Sequence, residues 1–273
     1  ILRNYIFQVE DDLDVINKGN PDQIAQETVN ILSRKDDQKK LVWVYLYSLK
    51  GSPHHYRTLK VDTPTNRIKL YDKNIRYHDG VVGKILDGLS AKNVLDETVV
   101  AFFSDHGEAY MEHGQYHHGY SLYHEHIRTP LILRIPGLPP GKFHFRTSNL
   151  DMMPTILQAL GLIIPRGLKG ISLVEATIDP SIVPERPFYL QSINDYSVID
   201  GRWYLIWNDG LSFELYDEYK DPTHRTNIIR ENEEVARSLL LIHQDYFLKA
   251  RTHIRRDPKF IMKRKQIREI LKK

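Results

Sequence analysis

Three short runs of continuous apolar residues set the terms for this fold: LVWVYLYSL (41–49), ETVVAFFS (97–104) and PLILRI (130–135). They are rich in β-branched and aromatic residues and lack polar alternation, the pattern of strands buried on both faces. Between them the apolar spacing turns helical. NPDQIAQETVNILSR (20–34) offers Asn20 as a cap and Pro21 at the first position. Residues 71–92 place Ile75, Val81, Val82, Ile85 and Leu89 on one side, and residues 148–162 offer Ser148 as a cap with Gly161 near the end. A polar loop, GSPHHYRTLKVDTPTNR, follows the first run, and SLYHEHI reads as a short helix before the third. Strands alternating with helices predict an α/β fold with a mostly parallel sheet sandwiched by helices.

After about residue 180 the texture changes. RPFYLQSI, SVIDGRWYLIWND and LSFELYDEY are short aromatic runs broken by Asp-Gly at 200–201 and 209–210, the signature of hairpins. The expected organisation is an α/β core over 1–180, a small antiparallel β subdomain with a closing helix over 181–250, and a basic tail over 251–273. That tail reads as a solvated helical end rather than a binding patch. A net charge of +3 is too weak to argue for nucleic acid. There is no cysteine, so neither disulfides nor thiolate metal sites arise. No run of ~18 apolar residues exists to span a membrane. The compartment stays open.

The chemistry concentrates in FFSDHGEAYMEHGQYHHGYSLYHEHIRTPLIL (102–133), which holds six of the 13 histidines. Asp105 and His106 stand just beyond a strand's carboxyl end, where open α/β sheets bind ligands. A carboxylate beside an imidazole is a reasonable pair of hard and borderline metal ligands, with Gly107 allowing a sharp turn behind them. An isolated DHG would be read as a cap and a surface histidine. Here Glu108, Glu112, His113 and His118 follow at short spacing.

The order of YDKNIRYHDGVVGKILDGL, SDHGE, EHG, HG, LYHE and IRTPLILRIPG resembles the sulfatase family of the alkaline phosphatase superfamily. SPHHY (52–56) is similar to its PHxPY-like loop, and NLDMMPTILQALGL with KGISL is similar to the helix and loop after the Pro-Gly exit. DGRWYLI and ELYDEYKDPTHRTNI resemble its closing subdomain. The resemblance covers roughly 20–247 and implies an alkaline-phosphatase-like fold. It implies metal-assisted hydrolysis of a sulfate ester, of a small molecule or a glycan, with a divalent cation. Ca2+ is the first choice, with Mg2+, Mn2+ or Zn2+ as alternatives. Asp105 and His106 match metal-ligand positions, the latter often Asn in this family. His118 matches a basic position that contacts substrate, where many relatives carry lysine. His54 matches the histidine of the PHxPY-like loop, with His55 as the other register. Hydrogen-bond donors to sulfate oxygens and an acid for the leaving alcohol are jobs that histidines suit. His113 is expected to support its loop through hydrogen bonds, and His117, His124 and His126 to be surface or packing residues.

Sulfatases carry a Cys-x-Pro-x-Arg or Ser-x-Pro-x-Arg nucleophile motif, converted to formylglycine. Neither motif is in this sequence: SPHHYR and TPTNR fail the spacing, so no nucleophile is assigned. EDDLD (10–14) imitates the paired aspartates that end the first strand in this family but lies too close to the 41–49 run to leave room for the nucleophile helix. With Ile1 in place of an initiator methionine, the expectation is that an N-terminal segment carrying the nucleophile is missing and that this portion alone is inactive. Two other readings stand beside it. One is a phosphodiesterase, phosphonate hydrolase or phosphotransferase of the same superfamily; the other is a non-catalytic sulfatase-like binding module.

Overall fold

The structure is a computed structural model describing residues 21–36, 39–46, 63–208 and 212–250. The chain divides into two compact units, Ile1–Thr98 and Val99–Lys273. No helix among the described residues is long and apolar enough to cross a membrane.

In the first unit, α1 (Pro21–Leu32) packs on α2 (Pro64–Ala91). Ala25, Thr28 and Val29 of α1 and Leu70, Val81 and Leu89 of α2 are buried. The close approach falls at Gly88, where an added Cβ would lie 2.6 Å from Val29 Cγ2. Lys84 Nζ reaches Asp22 Oδ1 at 2.7 Å on the exposed side of the pair, and this contact holds the Lys84 ammonium above its usual range. The second helix starts at Pro64, not near 71. Thr63 is extended and accepts from Asn66 N at 3.3 Å, and Pro64 occupies the first turn. Thr-Pro is a helix-start signal, and it outweighs the polar composition that suggested a loop.

The first apolar run behaves differently from expectation. Residues 41–46 are assigned no strand, with Leu41 and Trp43 each 68% exposed; 47–62 lie outside the described residues. Every pairing among the described residues is antiparallel. The mostly parallel pairing is therefore corrected there, while the mixed α/β class holds. The reason is in the connection: β1 (Val100–Phe103) and β4 (Leu131–Arg134) pair antiparallel, with Val100 opposite Arg134. Between them stand a ribbon of β2 (Ala109–Tyr110) and β3 (Tyr116–His117) and a one-turn helix α3 (His124–Ile127). A parallel partner needs a substantial crossover, normally a full helix, and this excursion supplies none.

The chain then enters α4 (Met152–Ala159) through a 3-10 turn over Asn149–Asp151. Ser148 and Asp151 form a capping box: Leu150 N donates to Ser148 Oγ and Ser148 N donates to Asp151 Oδ2.

The second half of the unit is a four-stranded antiparallel sheet in the order β5 (Phe188–Gln191), β6 (Asp195–Asp200), β7 (Trp203–Asn208), β8 (Phe213–Asp217). The β6–β7 turn uses Gly201 at φ +53° between paired Asp200 and Trp203. The other Asp-Gly, at 209–210, lies outside the described residues. The two central strands are buried on both faces. Leu239 and Leu240 of α5 (Glu233–Ala250) cover Val198, Leu205, Trp207 and Leu215. Leu122 covers Ile199, Tyr204, Ile206 and Tyr216 on the other side. The 120s segment is thereby clamped to the sheet, with Tyr204 Oη donating to Leu122 O at 2.5 Å.

One core residue is expected to make the unit acid-sensitive. His243 on α5 is 6% exposed, edge-on to Trp207 with ring centroids 4.4 Å apart. Burial pushes its pKa down to about 4. The unfolded chain binds this proton near pH 6.5 and the folded chain only near 4, so stability falls as pH drops through that window. The loss is roughly 3 kcal/mol when complete. Urea unfolding at pH 7 and pH 4.5 should show that His243→Leu loses less stability on acidification than the parent. Equal losses would remove His243 as the cause.

Candidate functional site

The site begins where β1 ends. Ser104 Oγ donates to His106 O at 2.8 Å, and Asp105 Oδ1 accepts from His106 N at 3.1 Å. Asn149 Nδ2 donates to both Ser104 O (3.0 Å) and Asp105 O (3.1 Å), fixing the turn from the other side. Gly107 N donates to His126 O at 2.8 Å.

His106 Nδ1 lies 2.7 Å from Gly107 O. A carbonyl only accepts, so Nδ1 carries the hydrogen and Nε2 presents its lone pair. That lone pair is 3.7 Å from Asp105 Oδ2, and both side chains are accessible to solvent. The two atoms fit as neighbouring ligands of one divalent cation, with the ring oriented by a carbonyl as in many metal sites. In donor type the pair fits a family metal, and it would supply only part of a coordination shell. One nitrogen donor moves the set from purely oxygen-loving ions towards borderline ones.

His118 completes the group. Its ring lies against His106, with centroids 3.7 Å apart, and its Nδ1 is 2.7 Å from Glu108 Oε2. His117 Nδ1 is 3.4 Å from Oε1 of the same carboxylate. Adjacent strand residues normally point to opposite faces. His117 sits at φ +72°, which breaks the alternation and lets both histidines face Glu108. The predicted Asp105, His106 and His118 are therefore brought together on one segment, while His54 and His55 lie outside the described residues. His106, Glu108 and His118 offer polar atoms within 4.8 Å of one another.

A second histidine group is built from the same segment. His113 Nδ1 is 2.8 Å from Glu125 Oε1, its Nε2 is 2.9 Å from His224 O, and its ring stacks on Tyr123 at 3.9 Å. His124 N donates to His224 Nδ1 at 3.2 Å, and His224 Nε2 donates to Glu218 Oε1 at 2.5 Å. Burial alone would raise the Glu218 carboxyl, but the His224 hydrogen bond and the charges of His224, Arg128 and Arg146 outweigh it and hold it below its usual value. His126 is buried, 2.9 Å from Ser121 Oγ, and burial depresses its pKa. His117 is exposed.

Glu108 stood next to the DHG tripeptide in sequence, and its role as the shared acceptor becomes visible only when the ribbon folds back. Asn149, Glu218 and His224 carry no local signal of their part here. They reach the group from 44 or more positions away.

Among solved structures, the fold is similar to yidJ of Bacteroides fragilis, described as a sulfatase. The TM-score is 0.68 at 22% identity over 86% of this chain and 59% of that one. It is also similar to the phosphonate monoester hydrolase of Agrobacterium radiobacter, with a TM-score of 0.57 at 25% identity over 68% and 42%. These place the chain in the alkaline-phosphatase-like class of α/β folds. The family model described as Sulfatase matches residues 3–162, and N-sulphoglucosamine sulphohydrolase, C-terminal, matches 111–244. The chain belongs to the sulfatase family. It is 31% identical to arylsulfatase K of Mus musculus over 178 residues, 59% of this chain and 32% of that protein. The chain thus spans about a third of the length of the curated relatives it matches.

Proposed function

We propose that these residues form part of a metal-dependent sulfuric ester hydrolase. The observation that carries the proposal is the meeting of Asp105 and His106, on the turn after β1, with a Glu108-held His118 that the β2–β3 ribbon brings back against His106. Asp105 Oδ2 and His106 Nε2 would hold a divalent cation, Ca2+ by family or Mn2+, Mg2+ or Zn2+ by donor type. When bound, it would supply positive charge to the ester's anionic oxygens. His118 donates Nδ1–H to Glu108, which orients the ring and leaves Nε2 to carry a proton to the leaving alcohol. His54 or His55 would donate to the ester oxygens. No Cys-x-Pro-x-Arg or Ser-x-Pro-x-Arg stands in the 273 residues, so the nucleophile would come from outside them, and this portion alone would not turn over.

The likeness to a phosphonate monoester hydrolase supports a second reading, a phosphoesterase with a different nucleophile. Both are tested by one assay: hydrolysis of a chromogenic aryl sulfate and its phosphate counterpart by the full-length gene product, with added Ca2+. Sulfate turnover should fall roughly 10²–10⁴-fold in His118→Ala, the range for a lost acid catalyst, and disappear with metal binding in Asp105→Ala. Faster phosphate turnover would favour the phosphoesterase. Turnover of neither ester by folded, metal-bound protein would favour a binding module.

A further inference from the structure

The His113–His124–Glu125 group is chemically incomplete as it stands. His113 Nε2 faces the His224 carbonyl at 2.9 Å, so it carries the ring hydrogen. Nδ1 of a neutral ring would then turn its lone pair on Glu125 Oε1, 2.8 Å away. Two acceptors at that distance need something positive between them. A proton on His113 would satisfy that contact and no more. The other half of the carboxylate, Glu125 Oε2, is buried without a hydrogen-bond partner, and so is His124 Nδ1, although the two lie only 3.0 Å apart. The Glu125 side chain is 5% exposed, and a carboxylate so buried is normally paired on both oxygens.

We propose that His113 Nδ1, His124 Nδ1 and the Glu125 carboxylate form a second divalent metal site, of the zinc class, distinct from the Asp105–His106 pair. The three ligand atoms lie within 4.8 Å of one another. Tetrahedral zinc with bonds near 2.0–2.2 Å separates its ligands by roughly 3.3 Å; the 2.8 Å contact of His113 Nδ1 with Oε1 and the 3.0 Å contact of His124 Nδ1 with Oε2 would each open by a few tenths of an ångström as the carboxylate settled on the ion. Two imidazoles and one carboxylate are a zinc-type donor set, leaving a fourth position. The outer contacts are those of a ligand shell: His224 O accepts from His113, and His224 Nδ1 accepts from His124 N. Such an ion would join the 111–115 turn and the 124–127 helix through residues that share His224, tying the catalytic segment to the 213–227 region. This inference does not depend on the hydrolase reading.

The test uses untagged full-length protein, stripped with chelator and then titrated with Zn2+, or with Co2+ read by its visible absorption. The background is the double variant Asp105→Asn/His106→Gln, which lacks donors of the other candidate groups. One equivalent of Zn2+ should remain bound there and be lost when His124→Gln is added. That side chain meets Glu125 Oε2 at 3.0 Å without hydrogen-bond geometry, and glutamine keeps a polar group there, so folding, checked by near-UV circular dichroism, should survive. Zn2+ should also raise the melting temperature of the background and not that of the His124→Gln or His113→Gln derivative. Undiminished Zn2+ binding in both derivatives, or no Zn2+ bound by the folded background, would overturn the proposal.

Discussion

Gly107→Ala is expected to destabilise the protein by upward of ~4 kcal/mol and to abolish metal binding at the proposed sites. An alanine Cβ at this position would sit 2.1 Å from the carbonyl oxygen of Glu125 and 3.0 Å from its carbonyl carbon. Neither is the tip of a flexible side chain; both belong to backbone in the one-turn helix 124–127. Relief would require that helix or the 104–107 turn to move by about an ångström, which breaks the Gly107 N to His126 O hydrogen bond at 2.8 Å. The turn carries Asp105 and His106, and the helix carries His124 and Glu125, so one methyl group separates both histidine groups from their supports. Denaturant unfolding combined with metal titration checks this. Gly80→Ala is the control of opposite sign, because nothing lies within 4 Å of a Cβ there. At that position inside α2 alanine should stabilise by roughly 0.5–1 kcal/mol. A Gly107→Ala protein that melts and binds metal like the parent would show that the close approach is not required.

The same glycine shows where sequence reasoning succeeds and where it stops. SDHG announced a turn at a strand end, and Gly107 was expected to serve a sharp bend. Its φ is not positive; the requirement is the close passage of another segment, and no local pattern encodes that. Helix starts are local, so Ser148 was legible as a cap, and the Thr63–Pro64 start was equally written in the chain though masked by polar neighbours. The apolar run at 41–49 signals a strand by composition, yet 41–46 form none and expose Leu41 and Trp43. The antiparallel return of β4 to β1 depends on a 27-residue excursion whose shape hydropathy does not report. Asp105, His106 and His118 stand out as candidates because short motifs in order carry information that single residues lack. Glu108, His224 and Glu218 were not assigned roles, because a carboxylate or histidine becomes an acceptor for a given ring only after folding places it there.

Asp151→Ala, in the turn that also carries Asn149, should be strongly destabilising, at roughly 3–5 kcal/mol, the range for breaking a buried ion pair by removing one member. Asp151 is fully buried, and its two oxygens serve three donors. Oδ2 accepts from Ser148 N at 2.8 Å and from Arg186 Nη2 at 2.5 Å, while Oδ1 accepts from Ile171 N at 2.9 Å. Its own carbonyl accepts from Thr155 Oγ1, which in turn accepts from Leu173 N at 2.9 Å. The NLDMM helix start, the KGISL loop and the strand entering at Arg186 therefore meet on one carboxylate. Gly170 is part of the same junction, since a Cβ there would lie 1.9 Å from Leu150 O. Removing the carboxylate leaves two backbone N–H groups without acceptors and Arg186 with only its contact to the Phe188 ring, 4.9 Å away. Because the Arg186 side chain keeps a fifth of its surface exposed, water would recover part of its share, and Arg186→Met alone should cost less than Asp151→Ala. In the Arg186→Met background Asp151→Ala should lose at least ~1 kcal/mol less than in the parent, the coupling expected of groups in one network. Additive losses in that double-mutant cycle, measured by urea unfolding at pH 7, would mean that Asp151 acts only as a helix cap and loop anchor. A loss below ~1 kcal/mol for Asp151→Ala itself would mean that the junction is not held by the carboxylate at all.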